Sequence, residues 1–170
     1  MEPQGSLHVR PANDPDIAEI ASLLTEGAER QRTLDGTTGW PIPYPLEEVA
    51  LSVHQHAFYV VEIDGEIIAT FMLVWDDVRL WGSQPPIAGY LHKLVVRRRW
   101  AHRDIGRRTI EWVADRVRAS GRSVLRLDCR STNRRLVAYY ESLGFQGIRV
   151  VRAGPPGKEQ PCLLMERPLV

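Results

Sequence analysis

The stretch RRRWAHRDIGRRT packs six arginines into thirteen residues, Arg97 to Thr109, around a single glycine, Gly106. An arginine cluster can bind nucleic acid, stand solvated on a surface, or hold phosphate. Its position points to the last use. The run LHKLVV before it reads as a strand and IEWVADRV after it as a helix, so the arginines flank a helix N-terminus. Such a terminus leaves backbone N–H groups without partners and carries a partial positive charge, so it accepts a phosphate directly. His92 lies on the preceding strand, and histidine is the side chain that exchanges a proton most readily near neutral pH. Asp128 ends a later strand, where a carboxylate can take a proton or brace the following turn. Asn133 and Tyr140 are seven residues apart, which puts both on one helix face. Cys129 and Cys162 stand in no CxxC or Cys/His ligand spacing and suggest neither a disulfide framework nor a zinc site. Without an evident base partner Cys129 does not read as an activated nucleophile, and both cysteines are expected as buried small hydrophobes.

Positioning these groups requires an ordered series of elements. LHVRPA reads as a first strand, and Pro15 opens a helix through DIAEIASLLTEGAER, where Ile17, Ile20, Leu23 and Leu24 recur at helical spacing. TLDGTTGWPIPYP is a Gly, Pro and aromatic loop of the kind that shapes binding sites. A short helix over Leu46–His54 leads into AFYVVEI, and Asp64-Gly65 turns that run back into EIIATFMLVW, a strong hairpin signal. DDVRLWGSQPP reads as a second loop and AGYLHKLVV as the next strand. A helix follows from Ile105 to Ser120, with Ile110, Val113 and Val117 on one side and Gly121 at its end. SVLRLDC is a strand, NRRLVAYYES a helix stopped by Gly144, and FQGIRVV and PCLLMER two closing strands. Strands interrupted by helices, with a hairpin among them, give a mixed α/β sheet.

In this order YLHKLVV, RRRWAHRDIG, LRLDC and NRRLVAYYESLGF resemble the GNAT acetyltransferase superfamily. The resemblance runs without a gap from Tyr90 to Phe145, and the flanking elements extend it over nearly the whole chain. Asn133 with Tyr140 and Gly144-Phe145 is its most specific part. It implies a single GNAT-type domain over residues 1–170, an α/β fold with a mixed, mostly antiparallel central sheet flanked by helices. It also implies acetyl-CoA as cofactor. The family's turn holds the cofactor's pyrophosphate, commonly through an Arg or Gln and two or three glycines. Aligned without insertions, those positions are Ala101, His102 and Asp104 here, and only Gly106 is kept. Binding would then fall to backbone amides of the segment Ala101, His102, Arg103, Asp104, Ile105, Gly106 and Arg107. Asp104 is expected to cap the helix. Arg103, Arg107 and Arg108 would reach the phosphates, and Arg97 to Arg99 the outer one. Leu94, Val95 and Val96 would pair with the pantetheine amides as an added strand does, and Asn133 would contact the pantetheine arm. The resemblance makes Tyr140 the acid that protonates the departing thiolate. Tyr90 stands where a carboxylate base often sits, so His92, sharing a face with Tyr90 and Leu94, becomes the candidate base. Asp128 is the reserve. A packed histidine with satisfied nitrogens, or a water acting as base, stays open at this point.

Composition bounds the rest. The chain has 170 residues, 44% of them hydrophobic, and a formal charge of +1, which suits one globular domain and not a basic nucleic-acid binder. The N-terminus MEPQGSLHVRP has no signal-peptide core, and no apolar run reaches membrane-spanning length, so a soluble cytoplasmic protein without a membrane partner is expected. The two loops offer Trp40, Tyr44, Trp75, Asp76, Asp77 and Trp81, aromatics and carboxylates that would suit a small cationic amine. Glu47, Glu48, Asp76 and Asp77 can equally be ordinary surface charges. The expectation is therefore an acetyl-CoA-dependent N-acetyltransferase of a small-molecule amine acting by direct attack, with a homodimer as relatives often are. The alternative is a GNAT-like domain that has lost catalysis and serves as an acyl-CoA sensor.

Overall fold

The structure is a computed structural model that describes residues 5–170. Residues 1–4, part of the N-terminal stretch read above as lacking a signal core, lie outside the described residues. The elements are β1 (His8–Pro11), α1 (Ile17–Asp35), α2 (Leu46–His54), β2 (Phe58–Ile63), β3 (Glu66–Val74), α3 (Val78–Trp81), β4 (Ala88–Val96), α4 (Ile105–Ala119), β5 (Val124–Arg130), α5 (Arg134–Ser142), β6 (Gln146–Ala153) and β7 (Gln160–Pro168). Short 3-10 turns stand at Asp14–Asp16 and Arg98–Trp100. The strands form one seven-stranded sheet in the order β1-β2-β3-β4-β5-β7-β6. The β4/β5 pairing is parallel, while β1/β2, β2/β3, β5/β7 and β6/β7 are antiparallel. This is the mostly antiparallel α/β architecture expected from the sequence.

Three local features explain where boundaries fall. Asp64 (φ 50°) and Gly65 (φ 79°) both lie in the left-handed region, as a two-residue turn matched to strand twist demands. The first helix runs on to Asp35, further than its apolar pattern suggested, and stops at Gly36, whose N–H reaches the Arg32 carbonyl at 2.8 Å. The second loop is not wholly irregular. Asp77 accepts a hydrogen bond from Leu80 N at 3.2 Å and nucleates α3 within it.

The chain packs as two compact units, Met1–Leu73 with Lys93–Thr109, and Val74–His92 with Ile110–Val170. The division in β4 coincides with Lys93, a non-glycine residue at φ 53° that interrupts the regular pleat between His92 and Leu94. In the first unit Ile20, Leu23 and Leu24 of α1, Val49 and Val53 of α2, Phe58 and Val60 of β2 and Val95 of β4 make the core. In the second, Trp81 and Leu80 of α3 pack on Ala88, Tyr90 and Leu164. Ile110, Val113, Ala114 and Val117 of α4 are fully buried, the stripe expected from their spacing. Each of the larger three, Ile110, Val113 and Val117, contributes about 1.5–3 kcal/mol on burial. Among the described residues no helix is long and apolar enough to cross a membrane.

Candidate active site

The arginine turn belongs to the first unit. After Val96 the chain tightens through Arg98–Trp100, with Trp100 N on the Arg97 carbonyl at 2.8 Å and Ala101 N on that of Arg98 at 3.0 Å. It then passes two left-handed residues, His102 at φ 61° and Asp104 at φ 62°, before α4 begins. These are the two positions where the family pattern carries glycine. The letters differ, yet the backbone keeps the conformation that glycine supplies. Asp104 sits immediately before the helix; its carbonyl accepts from Arg108 N at 3.1 Å and its carboxylate takes the Arg107 guanidinium, with Nε–Oδ1 at 2.9 Å. That contact, followed by the charge of Arg108, holds the Asp104 carboxyl below its ordinary range. The remaining arginines are more engaged than expected. Arg97 pairs with Glu19 and Glu26, Arg99 with Glu66, and Arg103 lies 4.9 Å over the Trp100 ring. Arg97 and Arg99 thus already have carboxylate partners within the protein.

Asp104→Gly should leave acetyl-CoA affinity unchanged or improve it, because glycine adopts φ 62° without strain and removes a carboxylate beside the turn. Calorimetric titration checks this; a large loss would mean that the Asp104–Arg107 pair builds the turn.

The second unit holds the proton-transfer candidates. The β4/β5 ladder consists of Ala88, Gly89 and Tyr90 against Val124, Leu125 and Arg126. Past that ladder, still on the first half of β4, His92 lies between two carboxylates. Nε2 is 3.0 Å from Asp77 Oδ2 and Nδ1 is 3.3 Å from Asp128 Oδ1. The reserve base and the candidate base are therefore one cluster, and Asp77, read as either a substrate-loop carboxylate or an ordinary surface charge, is its third member with only 9% of its side chain exposed. The Asp77 carboxylate is enclosed, so its contact with His92 acts at short range through hydrogen bonding and charge together. Burial opposes the imidazolium, but contact with Asp128 and then Asp77 outweighs it and lifts the His92 pKa from 6.5 to about 9. Burial also disfavours the charged Asp77, and His92 together with the Leu80 amide overcomes it, leaving that carboxyl below its ordinary value. The pairing of Asp77 with His92 could not be found in the sequence, because it depends on α3 folding inside a stretch whose letters read as loop.

Tyr90, in the place of a carboxylate base, has a different task. It is buried, and its hydroxyl accepts from Arg126 Nη1 at 3.0 Å. Arg126 also bonds Gln84 and Glu166 and stacks 4.4 Å over Trp81, so this buried cation is paired and hydrogen-bonded as burial requires.

Asn133 caps α5, its Oδ1 accepting from Leu136 N at 3.1 Å. Two turns on, the half-buried Tyr140 packs its ring at a tilt on Tyr139 and edge-on to Phe145, with centroids 5.6 Å and 5.8 Å away. Burial, then the neighbouring Cys129, Tyr139 and Asp128, push the phenol pKa upward, so it keeps its proton throughout the physiological range. Cys129 is buried, lies 3.9 Å from Met165 Sδ, and burial lifts its pKa to about 12. It is an inert thiol, as its lack of a base partner suggested. Cys162 is only partly buried.

The loop aromatics expected to receive a substrate amine face the protein's own cations. Lys93 Nζ lies 4.6 Å over Trp40 and 5.4 Å over Tyr44, and Arg122 lies 5.1 Å over Trp75. Trp81 is buried in the core of the second unit. Among the three β4 residues expected to offer backbone groups, Val95 buries its side chain in the core, Leu94 is half-buried, and Val96 has its carbonyl engaged by Arg30 Nη2 at 3.0 Å.

Comparison with known proteins matches residues 24–145 to the family model described as Acetyltransferase (GNAT) family. The uncharacterized N-acetyltransferase YesJ of Bacillus subtilis is 28% identical over 144 residues, covering 80% of this chain and 79% of that protein. Among solved structures, a GNAT-family acetyltransferase from Listeria monocytogenes is similar with a TM-score of 0.73 at 18% identity, covering 95% of this chain and 94% of that one. The yncA acetyltransferase of Salmonella typhimurium, solved with acetyl-CoA, gives a TM-score of 0.70 at 16% identity over 97% of this chain and 95% of its own.

Proposed function

Because the chain belongs to the GNAT acetyltransferase family, whose cosubstrate is acetyl-CoA, we propose that it moves the acetyl group to the primary amine of a small molecule by direct attack. The observation that carries this reading is the backbone of the arginine turn. His102 and Asp104 keep the left-handed conformation at φ 61° and 62°, which supports reading this turn as the one whose backbone meets the pyrophosphate despite the lost glycines. The alternative of an inactive acyl-CoA sensor would use the same turn; the retained Tyr140 and Asn133 favour catalysis over it, since a sensor needs no acid for a departing thiolate.

In the reaction the amine nitrogen forms a bond to the thioester carbonyl carbon as the bond to sulfur breaks. Tyr140, half-buried and held protonated, donates its proton to the departing thiolate. His92 receives the proton that the attacking ammonium must lose, and with a pKa of about 9 it is free to do so only in alkaline solution. Asp77 and Asp128 orient its ring and stabilise the imidazolium it becomes. The buried thiol of Cys129 takes no part, which favours direct transfer over an acyl-enzyme.

Calorimetric titration with acetyl-CoA beside free CoA, followed by an amine panel read through thiol release, tests the proposal. Micromolar binding and amine-dependent release are expected. Binding without release for any small amine would favour the sensor reading, and release only with peptide amines would overturn the small-molecule class.

A further inference from the structure

We propose that Glu26, seconded by Arg30, is a positioning residue for the cofactor: from α1 it grips the backbone that leads into the arginine turn and fixes where the turn's amides point. The inference rests on reading residues 102–107 as the cofactor's phosphate turn.

Three successive residues at the end of β4 are tied down. The sheet supplies one tie, from Arg97 N to the Ile68 carbonyl at 2.8 Å. Side chains of α1 supply the other two. Glu26 Oε1 accepts from Arg98 N at 2.6 Å, and Arg30 Nη2 donates to the Val96 carbonyl at 3.0 Å. Beyond Arg98 the backbone passes His102 and Asp104 in a conformation costly for non-glycine residues, and such residues hold that state only where their surroundings over-determine it. A fixed entry point at residues 96–98 is what a turn without its glycines needs.

The helix is built to deliver this grip. Glu26 and Arg30 are one turn apart and so share a face. Between them Gly27 lets the helix approach β4 closely, since a Cβ there would lie 2.9 Å from Val95 Cγ2 and 3.2 Å from Trp40 Cζ3. Glycine inside a helix costs about 0.5–1 kcal/mol relative to alanine, and the close approach explains why it stands there. Glu26 also reaches Arg97 Nη1 and Arg30 Nη2, each at 3.4 Å, so its carboxylate is balanced while it accepts the Arg98 amide. A carboxylate accepting a backbone N–H is among the stronger hydrogen bonds a protein makes.

Acetyl-CoA affinity by calorimetry, kcat and KM, and amide hydrogen exchange of residues 98–108 with and without acetyl-CoA, measured on wild type, Glu26→Ala, Glu26→Gln and Arg30→Ala, test the assignment. In wild type the cofactor should protect amides of residues 102–107. Glu26→Ala should weaken acetyl-CoA binding about tenfold, or about 1.4 kcal/mol, and raise its KM in parallel with little change in kcat. Glu26→Gln keeps an oxygen for Arg98 N and should recover most of the loss, while Arg30→Ala should fall between. Wild-type affinity in Glu26→Ala, with residues 102–107 still protected, would overturn the grip and leave the phosphate turn standing. No protection of those amides in wild type would overturn the turn and the grip together. A loss that glutamine does not repair, or one shared equally by kcat, would reduce Glu26 to a general structural role and overturn the proposal.

Discussion

Replacing Tyr140 by phenylalanine is expected to lower kcat by about 10²–10⁴-fold, the usual contribution of a positioned general acid, while acetyl-CoA affinity stays within about threefold. The ring contacts with Tyr139 and Phe145 persist without the hydroxyl, so α5 and its cap at Asn133 are undisturbed. Only the proton is removed. Buried surroundings hold the phenol protonated, which suits a donor and would defeat a base. Steady-state kinetics with thiol detection, beside titration of acetyl-CoA, separate the two quantities. Equal turnover in the variant would remove the acid role and return Tyr140 to a core aromatic.

The second large effect is in pH. With His92 as base, kcat/KM should climb from neutrality through a midpoint near pH 9 to a plateau above it, because the imidazole must lose its proton before it can accept one. His92→Gln should abolish that climb and cost about 10²-fold or more at the plateau. Asp77→Asn, which removes one of the two charges holding the proton, should move the rise toward neutral pH without erasing it. Stability carries the same signature with a defined sign. The folded pKa of about 9 stands above the unfolded 6.5, so the His92 contribution is complete below about pH 6.5 and is lost as pH rises through 9. A shift of this size is worth on the order of 3 kcal/mol. Thermal melts from pH 6 to 10 should fall more steeply for wild type than for His92→Gln. A flat rate profile in wild type would transfer the proton to water.

Much of this was legible in the letters because periodicity and turn chemistry are local. The alternation of β2 and β3, the Asp64-Gly65 turn and the stripe of Ile110, Val113 and Val117 each follow from residues near in sequence. The family resemblance between Tyr90 and Phe145 then brought in Tyr140, Asn133 and His92. What stayed hidden depends on distant pairing. Asp77 meets His92 only because a four-residue helix forms in an apparent loop, and no pattern announces one so short. Lys93 covers Trp40 and Tyr44 from a chain position about fifty residues away. The ion pairs of Arg97 and Arg99 stayed hidden for the same reason: their carboxylate partners, Glu19, Glu26 and Glu66, are remote in sequence.

The left-handed residues at 102 and 104 also bear on the unfolded chain. Glycine there would be relaxed when folded but would leave the denatured ensemble with more backbone freedom to lose. Histidine and aspartate reverse both effects: each accepts left-handed strain of about 1 kcal/mol and restricts the unfolded ensemble by a smaller amount. The strain still exceeds the gain where φ is positive, so the contacts around the turn must hold these two residues in place. Dihedral angles at this turn can therefore be kept while its letters drift, and a search for such turns is better written in φ than in glycines.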